Sequence, residues 1–222
     1  GIGNTIQILR VGVPVGAFYE YWHKLDENGF PLRDAFDHNE DGRINLADMY
    51  EDTNEDGEVN ELDKVPLGQP APNFTFGLTS LLNFYGFDLS FTLRGTQGNS
   101  VYNNVASDNA FFNNLNQDVP RNILSTVRET NFRNPQYFSD WYVEDGSFIR
   151  MDNITLGYRV DQLSDKFNFR LYSTIQNLFV LTNYSGLDPE AGTNSANNNI
   201  IGIDNNIYPR ARTFIFGLDF NL

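Results

Sequence analysis

Residues 213–222 read Thr213-Phe-Ile-Phe-Gly-Leu-Asp-Phe-Asn-Leu222, and their strict alternation decides the fold class. Phe214, Phe216, Leu218, Phe220 and Leu222 fall on one side of an extended chain, with Thr213, Ile215, Gly217, Asp219 and Asn221 on the other. A period of two is the side-chain repeat of a strand with two unlike faces. Residues 87–96 repeat it, setting Phe87, Leu89, Phe91 and Leu93 against Asp88, Ser90, Thr92, Arg94 and Thr96. Residues 74–83 do so more loosely, and 147–160 and 168–180 follow the same rule. A sixth strand is expected within 10–25, a stretch interrupted by Pro14 and Gly16.

The connections between these strands alternate in length. They run long (26 to about 70), short (84–86), long (97–146), short (161–167) and long (181–208). Outer-membrane barrels have this rhythm, because their periplasmic turns are tight and their extracellular loops long. Phe- and Leu-rich faces suit lipid, and mid-strand Asp88, Arg94 and Arg170 suit a watery or plugged lumen. The alternative is a secreted, calcium-stabilised β-sandwich adhesin or carbohydrate-binding module, whose strands also alternate. The reading favoured here is all-β: an antiparallel transmembrane β-barrel segment of about six strands with long extracellular loops. Six strands do not close a barrel, since the smallest have about eight. The chain is therefore expected to be the end of a longer protein or one piece of a multi-chain barrel. On the same rule the last strand runs inward and leaves the C-terminus in the periplasm.

Composition narrows the function. The chain carries 29 acidic and 15 basic side chains, a formal charge of -14. Residues 26–63 hold 14 acids against Arg33 and Arg43, a local net of -12, so subtraction leaves about -2 for all the rest. No cationic cluster is present to displace phosphate counterions, which argues against nucleic acid as a partner. Zero cysteines exclude a disulfide scaffold, a thiolate zinc site and a Cys nucleophile. His23, read as a strand-end interfacial residue, and His38, a loop position, are the only imidazoles. No run approaches a transmembrane helix in length, and Gly1-Ile-Gly-Asn-Thr5 lacks the regions of a signal peptide.

Within the acidic stretch two twelve-residue windows repeat at an offset of 15. Asp37-His-Asn-Glu-Asp-Gly-Arg-Ile-Asn-Leu-Ala-Asp48 and Asp52-Thr-Asn-Glu-Asp-Gly-Glu-Val-Asn-Glu-Leu-Asp63 agree at positions 1, 3, 4, 5, 6, 9 and 12. That is the layout of an EF-hand-type calcium loop: oxygens at 1, 3 and 5, a turn glycine at 6, a carbonyl at 7, and a closing carboxylate at 12. The expected ligands are Asp37, Asn39, Asp41, the Arg43 carbonyl, Asn45 and Asp48, then Asp52, Asn54, Asp56, the Glu58 carbonyl, Asn60 and Asp63. One or two Ca²⁺ ions are expected, in an inserted region spanning 34–63. Asp at position 12 is shorter than the usual Glu, and about three residues separate the loops, leaving room for only short helices. Ile44 and Val59 are expected to point inward and pair the loops.

Several strings in order resemble one family. They include Arg10-Val-Gly-Val-Pro-Val-Gly-Ala-Phe-Tyr19, Leu67-Gly-Gln-Pro-Ala-Pro-Asn-Phe-Thr-Phe-Gly77, Gly86-Phe-Asp-Leu-Ser-Phe91 and Gly95-Thr-Gln-Gly-Asn-Ser-Val-Tyr102. Val143-Glu-Asp-Gly-Ser-Phe-Ile-Arg-Met-Asp-Asn-Ile-Thr-Leu-Gly-Tyr158, Gln176-Asn-Leu-Phe179, Gly186-Leu-Asp-Pro-Glu190 and Tyr208-Pro-Arg-Ala-Arg-Thr-Phe214 follow. Over nearly its whole length, 1–222, the chain resembles the C-terminal part of SusC/RagA-type TonB-dependent outer-membrane transporters. The resemblance implies a 22-stranded barrel, an N-terminal plug and TonB box not matched here, and import of oligosaccharides or peptides. It also implies a SusD-type surface lipoprotein as lid, energy from the TonB complex, outer-membrane lipid around the wall, and calcium loops outside the cell. Phe214, Phe216 and Phe220 would be read by the barrel-assembly machinery. The doubled acidic loop departs from the single Asp-rich loop of a typical member.

No enzyme is expected. Glu144 and Asp145 are adjacent and cannot flank a sugar as a glycosidase pair does. Asp140-Trp-Tyr142 and the Asn/Phe-rich stretch 111–116 suit sugar stacking, but read first as loop packing.

Overall fold

Five of the six expected strands form one antiparallel sheet. A computed structural model of the chain describes residues 6–119, 121–164, 167–190 and 201–221. The long strands are β4 (Phe74–Phe84), β5 (Phe87–Gln97), β8 (Phe148–Ser164), β9 (Phe167–Thr182) and β10 (Thr213–Asn221), in the order β10-β9-β8-β5-β4. Lengths of 9 to 17 residues match tilted bilayer crossings. Tyr85, at φ +45°, and Gly86, at φ +83°, close the β4–β5 hairpin. Residues 165–166, which join β8 to β9, and Leu222 lie outside the described residues.

The register shows why the alternation was legible. Directly opposed residues share a face, so the pairs Leu78↔Leu93, Leu89↔Leu156, Phe91↔Ile154, Ile154↔Ile175 and Ile175↔Phe214 run one apolar face across all five strands. Among the described residues of this unit nothing covers that face: Phe216 is 77% exposed and Phe220 70%. The sandwich alternative needs a second sheet packed there, and among the described residues this unit, drawn from 72–98, 146–183 and 208–222, holds one sheet. The opposite face carries charge in paired form. Arg170 of β9 grips Asp88 of β5 through Nε (2.9 Å) and Nη2 (2.5 Å), and its Nη1 reaches Asp219 of β10 at 3.2 Å. A bulge between Met151 and Asn153 leaves Asp152 free of the ladder, and its Oδ2 accepts from Arg94 Nε at 2.6 Å.

The second compact unit gathers the described parts of 1–71, 99–145 and 184–207. It contains a three-stranded sheet of β1 (Gln7–Ile8), β2 (Ala17–Glu20) and β3 (Val65–Gly68), and a ribbon of β6 (Ser100–Tyr102) and β7 (Val143–Asp145). Two short helices, α1 (Asn104–Asn109) and α2 (Val127–Thr130), complete it with several single turns of 3-10 helix. Its core is aromatic, built on Phe18, Tyr102, Phe111, Phe132 and Tyr142.

The strand expected within 10–25 is corrected here: it is the four-residue β2, in the small sheet and not in the barrel-like one. Pro14 and Gly16 hold a turn, with Ala17 N donating to Pro14 O at 3.1 Å. Beyond it Phe18, Glu20 and Tyr21 are all buried, so the strand offers no face to lipid.

The Arg170–Asp88 pair bridges two strands across β8, passing over Gly157. A Cβ on Gly157 would collide with both the Asp88 carboxylate and the Arg170 guanidinium. Gly157→Val is therefore expected to separate the pair and destabilise the wall by about 1–3 kcal/mol, the usual cost of forced overpacking. The check is the temperature at which the full-length protein loses its folded, fast-migrating form on a gel; an unchanged temperature would contradict the packing described.

Candidate metal centre

The two acidic loops fold alike because their backbones demand the same donors and acceptors. In the first, Glu40 (φ +59°) and Gly42 (φ +84°) adopt left-handed conformations; in the second, Glu55 (φ +61°) and Gly57 (φ +90°) do the same. Asp37 Oδ2 accepts from Gly42 N at 2.9 Å, and Asp52 Oδ2 from Gly57 N at 2.8 Å. Asn39 and Asn54 accept from the amides of Asp41 and Asp56, which in turn accept from those of Arg43 and Glu58. Asn45 and Asn60 cap single turns of 3-10 helix, Leu46–Asp48 and Glu61–Asp63, by accepting from Ala47 N and Leu62 N.

The position-12 aspartates are buried, at 1% and 0% exposure. Asp48 Oδ1 accepts from His38 N (2.8 Å) and Asn39 N (3.2 Å), and Oδ2 from Asn45 N (2.8 Å). Asp63 repeats the arrangement with Thr53 N, Asn54 N and Asn60 N. Burial works to raise the Asp48 carboxyl, but these backbone N–H groups outweigh it and hold it below the usual range. At Asp63 the Asn60 amide leads the same downward shift. Two backbone donors occupy Oδ1 in each case and one occupies Oδ2, so Oδ2 is the less engaged oxygen.

The first loop does leave an acceptor open: Asp37 Oδ1 is buried and has no hydrogen-bond partner. Among the described residues no three His, Cys, Asp or Glu side chains gather closely enough to hold an ion by themselves. Each loop instead mixes Asp, Asn and carbonyl oxygens, a set that fits a hard cation. The expected pairing of the loops through Ile44 and Val59 does not occur. Ile44 is 60% exposed, whereas Val59 packs on Tyr21, Met49 and Tyr50.

Comparison with known proteins bears on the chain as a whole. No family model matches the chain. The TonB-dependent receptor SusC of Bacteroides thetaiotaomicron is 33% identical over 98% of this chain, which spans 20% of SusC. TonB-dependent receptor P3 of Formosa agariphila is 32% identical over 96% of the chain and 23% of its own length. The chain belongs to the SusC/RagA-type TonB-dependent receptors, as a segment of their barrel. A solved structure, the RagAB peptide importer in its 'open-open' state, matches in fold with a TM-score of 0.64 at 19% identity, over 99% of this chain and 24% of that one. These relatives are receptors and importers, not enzymes, and the likeness in fold makes the five-stranded sheet a segment of a β-barrel wall. No helix among the described residues is long and apolar enough to cross a membrane.

Other candidate residues of this SusC/RagA-type segment have structural employment. Glu144 accepts from Asn103 Nδ2, Ser185 Oγ and Ser185 N, clasping two loop segments. Tyr142 and Phe111 are buried in the core of the loop unit, as the packing reading expects. His23 is not interfacial but buried: Nε2 donates to Leu32 O at 2.8 Å, which leaves Nδ1 to accept from Ser139 Oγ at 2.9 Å. Burial lowers its pKa from 6.5 to about 4.

Sequence reasoning missed Glu20, whose surroundings only the fold assembles. It is 0% exposed with neither carboxylate oxygen hydrogen-bonded. Burial raises its pKa from 4.5 to about 9, against the pull of Lys64. The signs follow from linkage. Glu20 costs stability as pH rises from 4.5 towards 9, and His23 costs it as pH falls from 6.5 towards 4. The two slopes offset between 4.5 and 6.5, and above that Glu20 acts alone. Hydrogen-exchange protection of the β2–β3 amides is thus expected to fall between pH 6.5 and 8.5, by up to about tenfold per unit. Glu20→Gln should abolish the slope; a slope that survives the substitution would assign the loss to another group.

Proposed function

We propose that this chain builds part of the wall and the outer loops of an outer-membrane importer of oligosaccharides or peptides. The observation that carries the reading is the 33% identity to SusC along almost the whole chain, joined to an open sheet with one lipid-type and one charged face. On this reading the remaining strands and the plug come from the rest of the receptor. A SusD-like surface lipoprotein would cover the outer side, and the TonB complex would supply energy. The tight β4–β5 turn and the long segments at the other strand ends support a periplasmic C-terminus and extracellular acidic loops. Phe214, Phe216 and Phe220 would serve both lipid contact and barrel assembly.

The acidic loops would hold one or two Ca²⁺ ions. Oxygen ligands would come from Asp37, Asn39, Asp41, the Arg43 carbonyl, Asn45 and Asp48, and from Asp52, Asn54, Asp56, the Glu58 carbonyl, Asn60 and Asp63. Support comes from the seven identities in register, the duplicated hydrogen-bond pattern, and the orphaned Asp37 Oδ1. A bound ion would neutralise carboxylates that otherwise repel and would fix the 34–63 insertion.

Two measurements test these readings. The full-length receptor should require detergent, co-purify with a surface lipoprotein, and lose uptake when the proton-motive force is collapsed; a water-soluble monomer would sink the importer reading. Calorimetric titration of the same protein with Ca²⁺ should show at least one site, weakened tenfold or more by Asp37→Ala with Asp41→Ala in the first loop, or by Asp52→Ala with Asp56→Ala in the second. Chelation should speed proteolysis within 34–63. Unchanged binding in both double variants would remove calcium from these loops.

A further inference from the structure

In the loop unit, a cleft of about 620 Å³ opens between the segment preceding the first acidic loop and the 3-10 helix Phe112–Asn116. Two arginines, Arg33 and Arg133, line it. Among the described residues neither has a carboxylate partner, in a chain with 29 acids for 15 bases. Arg33 is held instead over the Phe36 ring, 4.4 Å from its centroid.

The one acid in the cleft lining is already engaged. Asp34 is buried and accepts from Arg133 N (2.6 Å), Asn134 N (2.9 Å) and Asn134 Nδ2 (2.8 Å). Its carboxylate fixes the loop that carries Arg133 and leaves the Arg133 side chain unneutralised. A relay of amides runs into it: Asn116 Nδ2 donates to Asn113 Oδ1, and Asn113 Nδ2 to Asn134 Oδ1. The carboxamides are thereby oriented along the wall. Phe36 and Phe112 are both partly exposed.

We propose that this cleft binds an acidic saccharide, with Arg33 and Arg133 taking its carboxylate, Phe112 stacking on a sugar ring, and the Asn113 and Asn116 amides meeting its hydroxyls. A guanidinium suits a planar carboxylate, and carboxamides suit vicinal hydroxyls because each carries donors and an acceptor. A peptide terminus fits less well: the lining is loop and 3-10 helix, with no strand edge for a peptide backbone to join. The cleft's role as a substrate site rests on the importer reading, but its binding chemistry does not.

The test is calorimetry on the purified full-length receptor, with trigalacturonate, its carboxyl-reduced neutral counterpart, and a tripeptide with a free carboxylate. Trigalacturonate should bind at least tenfold tighter than either, and added salt should weaken it alone. Arg33→Gln with Arg133→Gln should bring it down to the neutral sugar's level, and Phe112→Ala should weaken both sugars. Both arginines are exposed, and an unchanged thermal melt of the double variant will verify that it folds. Equal affinity for the neutral sugar, preference for the peptide, no binding of trigalacturonate, or indifference to the arginine substitutions would each overturn the proposal. Uptake is measured separately in cells, so a receptor that binds without importing sinks the importer reading and leaves the cleft standing.

Discussion

In hydrocarbon every strand N–H and C=O must find a partner on a neighbouring strand, and that constraint governs how this chain is divided. β5, β8 and β9 are paired along both edges, and β4 and β10 along one among the described residues. The two outer edges need neighbours, and the chain spans a fifth of SusC. The same constraint sends irregular backbone elsewhere. Turns, 3-10 helices and loops carry amides that no ladder satisfies, and they belong to the other unit. There Asp and Asn side chains stand in for a partner strand. Asp34, Asp48 and Asp63 each accept two or more backbone N–H groups.

Pairing the backbone leaves the side chains to decide which face meets which solvent. The lipid face carries no charge in the described strands, consistent with the cost of an ion near the bilayer midplane. The opposite face holds Asp88, Arg94, Asp152, Arg170 and Asp219 as bonded pairs. Gly157 makes the largest of these possible, because two strands' charges can meet across a third only where that strand has no side chain. A glycine at mid-strand, normally a weakness, is here the gap through which β5 and β9 are tied.

The wall was legible in the sequence and the loop unit mostly was not, for a physical reason. An exposed sheet face prints its period directly, since nothing packs on it to demand exceptions. Phe87 to Leu93 and Thr213 to Phe220 therefore read correctly one residue at a time. β2 misled because burial on both sides replaces period two with plain apolar content, and because Glu20 looks like an outward-facing acid until the fold surrounds it. The acidic loops were legible as loops through glycine and Asx spacing, which specify backbone conformation locally. What Ile44 and Val59 touch is a tertiary matter. Val59 found the Tyr21–Tyr50 stack and Ile44 found solvent.

The acidic loops also show why aspartate, not the longer glutamate, closes each one. Its short side chain brings both oxygens onto the amides of positions 2, 3 and 9, closing the loop by hydrogen bonds alone. Backbone amides are fixed partial charges, so they offset the desolvation of a buried carboxylate without a cation beside it. They do little, however, for the net charge of -12 gathered between residues 26 and 63, most of it on side chains in contact with water. Geometry and charge are thus satisfied by different agents. The backbone sets the loop shape, while the remaining repulsion, left to solvent and to any divalent ion the loops accept, would set how long the shape persists.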